Sequence, residues 1–178
     1  MKIFAALIAF LVSVVALEQF ASAYIFPPTI SQLDVPRYMG KWYEVESTKP
    51  FFQNGCVCNT AEYKLLDDGT VSVKNSCRVE TPTGPLRVVE ALARPTSQPG
   101  KLRVDFGGVR LPIANYWVID LAPDYSYAVV STLLRNPVWI LSRTPSLNDE
   151  TLMSIKDKLV GYGFDTSKLS ETIQACTK

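Results

Sequence analysis

The chain has 178 residues, a net charge of +1 and 47% apolar residues, which suits one secreted-size domain with its own core. It has no histidine, so Ser-His-Asp and Cys-His catalysis and histidine-ligated metals are excluded. No long basic or acidic run is present, and nucleic acid is not an expected partner.

The N-terminus reads as a signal peptide over 1–23. Lys2 opens it, Ile3 to Leu17 is almost wholly apolar, and Ala21-Ser22-Ala23 fits a small-x-small cleavage site. The apolar run is short for a membrane span, and Glu18 and Gln19 end it. The expected mature chain is 24–178. Tyr24 rather than a cysteine follows the cleavage site, and the tail is polar, so neither a bacterial-type lipid anchor nor a GPI signal is indicated. The expectation is a secreted, extracellular protein.

After Pro27 and Pro28 a short polar lead-in reaches Gly40. Strands are expected near 42–49, 58–66, 70–78, 86–94, 101–107, 115–121, 126–133 and 137–143, the rhythm of an all-β barrel or sandwich. Asp67-Asp68-Gly69 is a tight hairpin turn. Pro82 to Pro85, Pro95 to Gly100 and Arg135-Asn136-Pro137 break other strands apart. Alternation assigns faces. Leu102, Val104 and Phe106 point inward, as do Ala61, Tyr63 and Leu65. Val71 and Val73 share their parity with Asn75 and Cys77. Cys58, Glu62 and Lys64 face out. Ala91 and Ala93 supply small residues where a barrel tapers.

The period then changes. Asn148 is a helix N-cap, and Asp149 and Glu150 favour the positive end of the helix. Leu152, Ile155 and Leu159 form one apolar stripe, widened by Met153 and Val160, and Gly161 terminates the helix. The stripe is expected to pack on the outside of the sheet.

Four cysteines, Cys56, Cys58, Cys77 and Cys176, follow an export signal and read as two disulfides with three possible connectivities. Cys56-Val57-Cys58 lacks the further ligands of a zinc site, so neither metal nor cofactor is expected.

Gly40-Lys41-Trp42-Tyr43-Glu44 before the first strand, Asp124-Tyr125 after the sixth, and Arg143 closing the eighth resemble the three conserved blocks of the lipocalins. Trp139 to Pro145, and the hairpin around Tyr63 and Asp67-Asp68-Gly69, are similar to the apolipoprotein D and bacterial outer-membrane lipocalin branch. The resemblance covers nearly all of 24–178. It implies an eight-stranded antiparallel up-and-down barrel with one C-terminal helix outside. Gly40, Trp42, Asp124, Tyr125 and Arg143 would then form its closed end, with Arg143 across the Trp42 ring. The loops near 50–57, 79–85, 107–114 and 133–137 would ring the mouth.

The resemblance further implies a cup that carries a small hydrophobic ligand: a fatty acid, lysolipid, steroid, retinoid or pigment. Inward parity and the family together nominate Tyr63, Asn75, Phe106, Tyr116, Val118 and Trp139 as its lining, with Asn75 fixing orientation. Cys58 would pair with Cys176, as its family counterpart pairs with a C-terminal cysteine. Cys56 and Cys77, both near the mouth, would form a second bridge. That departs from the apolipoprotein D pattern, whose other bridge reaches an N-terminal segment that has no cysteine here. Phe51, Phe52 and the apolar loop 107–113 either fold inward over the rim or touch lipid. The expected state is a monomer or weak dimer. Two alternatives remain: an enzyme using Cys77 as a barrel-interior thiol, and a protein-binding or defence module acting through the rim loops.

Overall fold

Alternation of apolar and polar residues makes strands, and in this chain the strands close on themselves. The computed structural model describes residues 26–110 and 112–176; the signal peptide expected over 1–23 lies outside them. In chain order the elements are α1 (Val35–Tyr38), β1 (Gly40–Ser47), a 3-10 turn (Phe51–Gln53), β2 (Cys56–Leu65), β3 (Val71–Val79), β4 (Leu86–Pro95), β5 (Lys101–Phe106), β6 (Tyr116–Leu121), β7 (Tyr127–Ser131), β8 (Trp139–Ser142), α2 (Asp149–Gly161), a second 3-10 turn (Thr166–Lys168) and β9 (Ser170–Glu171). Each of β2 to β7 pairs with the next, β8 pairs with β1, and β1 pairs with β2, so the ring is complete. The fold is a closed eight-stranded antiparallel barrel, with β9 added to β1 and α2 outside.

The inward set packs as one cluster that includes Trp42, Tyr63, Val71, Val73, Leu102, Val104 and Val130. The strands β6 to β8 are apolar on both faces because their outer face seats the helix. There Trp117, Ile119, Val129 and Ile140 pack with Ile155, Leu159 and Phe164. This explains why their sequences run apolar without alternation.

Asn148 caps α2 by accepting from the Thr151 N–H at 2.8 Å. Lys156 on α2 bonds Glu46 of β1 at 2.8 Å, and Lys158 bonds Asp120 of β6 at 2.9 Å. The apolar stripe is narrower than expected: Met153 and Val160 are 60% and 59% exposed. Only the row of Leu152, Ile155 and Leu159 packs into the cluster on the outer face of the sheet. Its terminator is Gly163 rather than Gly161. Gly163 has φ +79°, its N–H reaches Val160 O at 2.9 Å, and the Phe164 N–H reaches Leu159 O at 3.0 Å. That is a Schellman closure, with Phe164 and Leu159 in apolar contact within one cluster.

Other differences are local. The polar lead-in contains α1, which Asp34 caps through the Arg37 N–H. Leu65 keeps its inward parity but lies at the strand end, 39% exposed. β7 and β8 are shorter than expected because 132–138 spends its polar groups on a turn. Arg135 N–H bonds Thr132 O, and the Thr132 hydroxyl bonds Asn136 O. Between β5 and β6 only Lys101–Trp117 and Leu102–Tyr116 pair. Beyond them the Asn115 side chain takes the place of a strand, accepting from Val104 N–H at 2.7 Å and donating to Val104 O at 2.9 Å.

Candidate functional site: a cup with a tyrosine floor

The barrel encloses a cavity of about 560 Å³ that opens between the loops at one end. Tyr63, Asn75, Phe106, Tyr116 and Trp139 line it. Val118 does not: it is fully buried and packs in the core cluster. Its parity is inward, but its side chain is packed over, while Val130, its partner across β6 and β7, lines the cavity.

Three hydroxyls make that floor. Tyr116 Oη lies 2.7 Å from Tyr38 Oη and 3.1 Å from Tyr63 Oη. The Tyr38 and Tyr63 rings stack at 5.7 Å. Burial pushes the phenols of Tyr38 and Tyr116 well above their ordinary value, and that of Tyr63 up to about 12. The floor is therefore neutral, and its two hydrogen bonds engage all three oxygens while leaving one hydroxyl hydrogen over. Tyr38 was not among the sequence candidates. A four-residue helix delivers it, and so short an element has no periodicity to read.

Below the floor lies the closed end. Tyr38 O accepts from the Trp42 indole N–H at 2.9 Å. The Arg143 guanidinium stands 3.7 Å from the Trp42 ring centre and donates to Lys41 O and Arg37 O at 2.9 and 2.8 Å. Gly40 has φ +90°, and a Cβ there would stand 3.5 Å from Arg143. The 122–126 loop joins the same end. Tyr125 Oη accepts from the Asp34 N–H, and the Arg37 guanidinium lies 4.1 Å from the Tyr125 ring centre. Asp124 folds the loop by accepting from the Ser126 hydroxyl and N–H, which hold its carboxyl below the usual range.

The upper wall centres on Glu44, which is 4% exposed and lines the cavity. Its Oε1 accepts from Ser47, Asn59 and Thr172, and its Oε2 accepts from Gln53 at 2.7 Å. Gln53 in turn accepts from the Trp139 indole N–H at 2.9 Å. A buried carboxylate held by neutral donors thus joins β1, the Phe51–Gln53 turn, β2 and the tail. Sequence reasoning assigned Glu44 no such role; its signal was a charged residue at the inward parity of Trp42.

A bulge between Val57 and Thr60, with Cys58 at φ +59°, splits the two cysteines of β2. Cys56 turns into the cavity wall and pairs with Cys77; Cys58 turns outward and pairs with Cys176. Cys77 is thus no free thiol. At the rim Phe51, Phe52, Val109, Ile113 and Leu134 are exposed, so the aromatic pair stays in solvent rather than folding fully inward. Phe52 alone also borders the cavity. A second hollow, about 730 Å³, lies on the outer face of β2 to β5. Lys64, Lys74, Glu90 and Arg94 line it, and it offers an apolar molecule no dry enclosure. Among the described residues no group of three or more carboxylates or cysteines is placed to hold a metal.

The chain belongs to the lipocalin family: the lipocalin-like domain profile matches residues 33–174. It is 39% identical over 155 residues to temperature-induced lipocalin-1 of Arabidopsis thaliana, covering 83% of each chain. To apolipoprotein D of Mus musculus it is 36% identical over 159 residues, covering 84% of this chain and 81% of the relative. Among solved structures, insecticyanin of the tobacco hornworm Manduca sexta superposes with a TM-score of 0.62 at 24% identity, covering 83% of this chain and 82% of the other. A cockroach allergen, Per a 4, gives 0.67 at 18% identity, covering 83% and 92%. At these identities the structures attest the fold. Members of the lipocalin family bind small hydrophobic ligands.

Proposed function

We propose that this protein is a secreted, non-catalytic carrier that takes one small hydrophobic molecule into its barrel. The cavity carries the reading: about 560 Å³, walled mainly by apolar side chains and floored by neutral phenols bonded to one another. An apolar ligand entering it gains roughly 25 cal/mol per Å² of apolar area removed from water. Tyr63, Asn75, Phe106, Tyr116 and Trp139 are the proposed lining contacts, and Gly40, Trp42, Asp124, Tyr125 and Arg143 the proposed structural base. The two disulfides favour an oxidising, extracellular setting. The pairing of Cys77 removes the thiol that a catalytic reading needs. One chain completes the cup, so a monomer suffices.

The rim supports lipid contact in preference to a protein partner. Its hairpin loops carry Lys49, Arg110 and Arg135 against Glu80, beside the exposed apolar side chains. The hairpin loops of the closed end carry Asp67, Asp68 and Asp124. The mouth is thus both apolar and basic, which suits an anionic lipid surface.

Native mass spectrometry after incubation with a mixture of fatty acid, lysolipid, steroid and retinoid tests the carrier reading. The expected result is a single adduct per chain that disappears on unfolding. Bare chain with every ligand class contradicts it.

A further inference from the structure

The cavity is not uniformly apolar, and its polar groups divide into those already engaged and those that are not. Glu44, Gln53, Asn115 and the floor tyrosines are hydrogen-bonded to protein. The Thr132 hydroxyl bonds Asn136 O. Apart from the small hydroxyls of Thr60 and Ser76 and one hydroxyl hydrogen at the floor, two inward groups remain among the described residues, on neighbouring strands. Arg87 of β4 lies opposite Cys77, and Asn75 of β3 lies opposite Val89. They form a diagonal pair on one face, a separation that an arginine side chain spans. Both line the cavity.

The side chain of Arg87 has one polar contact, Nη1 to Cys56 Sγ at 3.6 Å, and sulfur is a weak acceptor. Among the described residues no carboxylate pairs with it, although Arg94, Lys156 and Lys158 have such partners. The Asn75 amide has no hydrogen-bond partner among the described residues. A further unmatched atom, Asn59 Oδ1, is a buried acceptor beside Glu44 and does not compete for an anion. Glu44 itself is on β1, with β2 and β3 between it and β4, and four neutral donors already engage its carboxylate.

Resting on the carrier reading above, we infer that the ligand is a single-chain amphiphile with an anionic head, held at the mouth by Arg87 and Asn75 with its tail toward the tyrosine floor. The direction follows from solvation. A charged head in the apolar depth would lose its hydration with no cation to replace it. At the mouth Arg87 is exposed, so the head keeps part of its water and gains a forked, charge-assisted pair. The floor phenols are neutral, and the one hydroxyl hydrogen that their two bonds leave over can serve a neutral acceptor but is no match for a charge.

The test uses the intact chain with cis-parinaric acid, its methyl ester, and an oleoyl lysophosphatidic acid competitor. The acid is expected to bind about tenfold tighter than the ester, the scale of one charge-assisted pair. Arg87→Gln is expected to erase that preference by weakening the acid about tenfold toward the affinity of the ester, and Arg87→Lys to restore part of it. Displacement of the acid by the lysophosphatidic acid assigns a phosphate head; failure to displace it assigns a carboxylate. Equal affinity for acid and ester in the wild-type protein, or an intact preference in Arg87→Gln, overturns the inference and leaves the carrier reading standing. No uptake of any probe overturns both.

Discussion

The guanidinium of Arg143, at the end of the last barrel strand, lies 3.7 Å from the ring centre of Trp42, at the start of the first. It donates at the same time to the carbonyls of Lys41 and Arg37, so one side chain joins β8, β1 and α1. Trp42 is fully buried beneath Tyr38, on the far side of the floor from the cavity. Replacing it with alanine is expected to cost about 3–5 kcal/mol in urea unfolding. A double-mutant cycle with Arg143→Ala should give a coupling of about 1 kcal/mol or more. Independent effects of the two changes would show that the stacking contributes nothing beyond burial.

The floor tyrosines give stability a pH dependence at the alkaline end. An unfolded tyrosine loses its proton near pH 10, whereas folded Tyr63 holds its proton to about 12, and Tyr38 and Tyr116 are raised as well. In that window the unfolded chain binds fewer protons than the native one, so stability falls as pH rises. Below pH 10 the contribution is fully present. Melting temperature measured across this range should decline, and a Tyr63→Phe variant should show a shallower decline. Tyrosinate absorbance that develops with an ordinary midpoint for every tyrosine would oppose this.

The Cys58–Cys176 bridge closes a loop of sequence separation 118 and fixes the tail that supplies Thr172 to Glu44. Removing it as a paired serine variant is expected to lower stability by about 4–5 kcal/mol in the chain-entropy model. Comparing denaturant midpoints of the wild-type and double-serine proteins measures it. An unchanged midpoint would mean that the β9 segment holds without the bond.

Contact of the rim with lipid is expected to depend on both of its properties. Co-sedimentation with vesicles containing anionic lipid should exceed that with neutral vesicles and should weaken with salt. A Phe51→Ser, Leu134→Ser double variant should lose it while keeping its melting temperature, since both side chains are more than four-fifths exposed. Equal sedimentation of this variant would remove the rim from the account.

Much of this architecture can be read from residue order, because strands with a single buried face alternate and the turns between them carry Gly, Pro and Asp. Trp42 and Arg143 are legible for the same reason: in a closed ring the first strand begins where the last one ends. Packing is less legible. Parity places Val118 on the inner face but says nothing of how tightly its neighbours close over it, and it is fully buried while its partner Val130 lines the cavity. Nor does parity reveal who meets whom: Glu44 gathers Ser47, Gln53, Asn59 and Thr172 from four separate segments. Short elements escape for want of a period, as with α1, which carries Tyr38, and the two-residue β9. Met153 and Val160 were apolar enough to suggest a wider helix seat, yet both stay exposed beside the row of Leu152, Ile155 and Leu159.

The occupancy of the cup is tested most directly by titrating the protein with a fluorescent fatty acid while following tryptophan emission. Trp139 lines the cavity, whereas Trp42 lies beneath the floor and Trp117 faces the helix. The account predicts saturable uptake at one molecule per chain, with quenching that is largely lost in Trp139→Phe, and weaker binding in Trp139→Ala with little change in fold. Emission that never saturates, or quenching that persists undiminished without Trp139, would place the ligand outside the barrel and contradict the account.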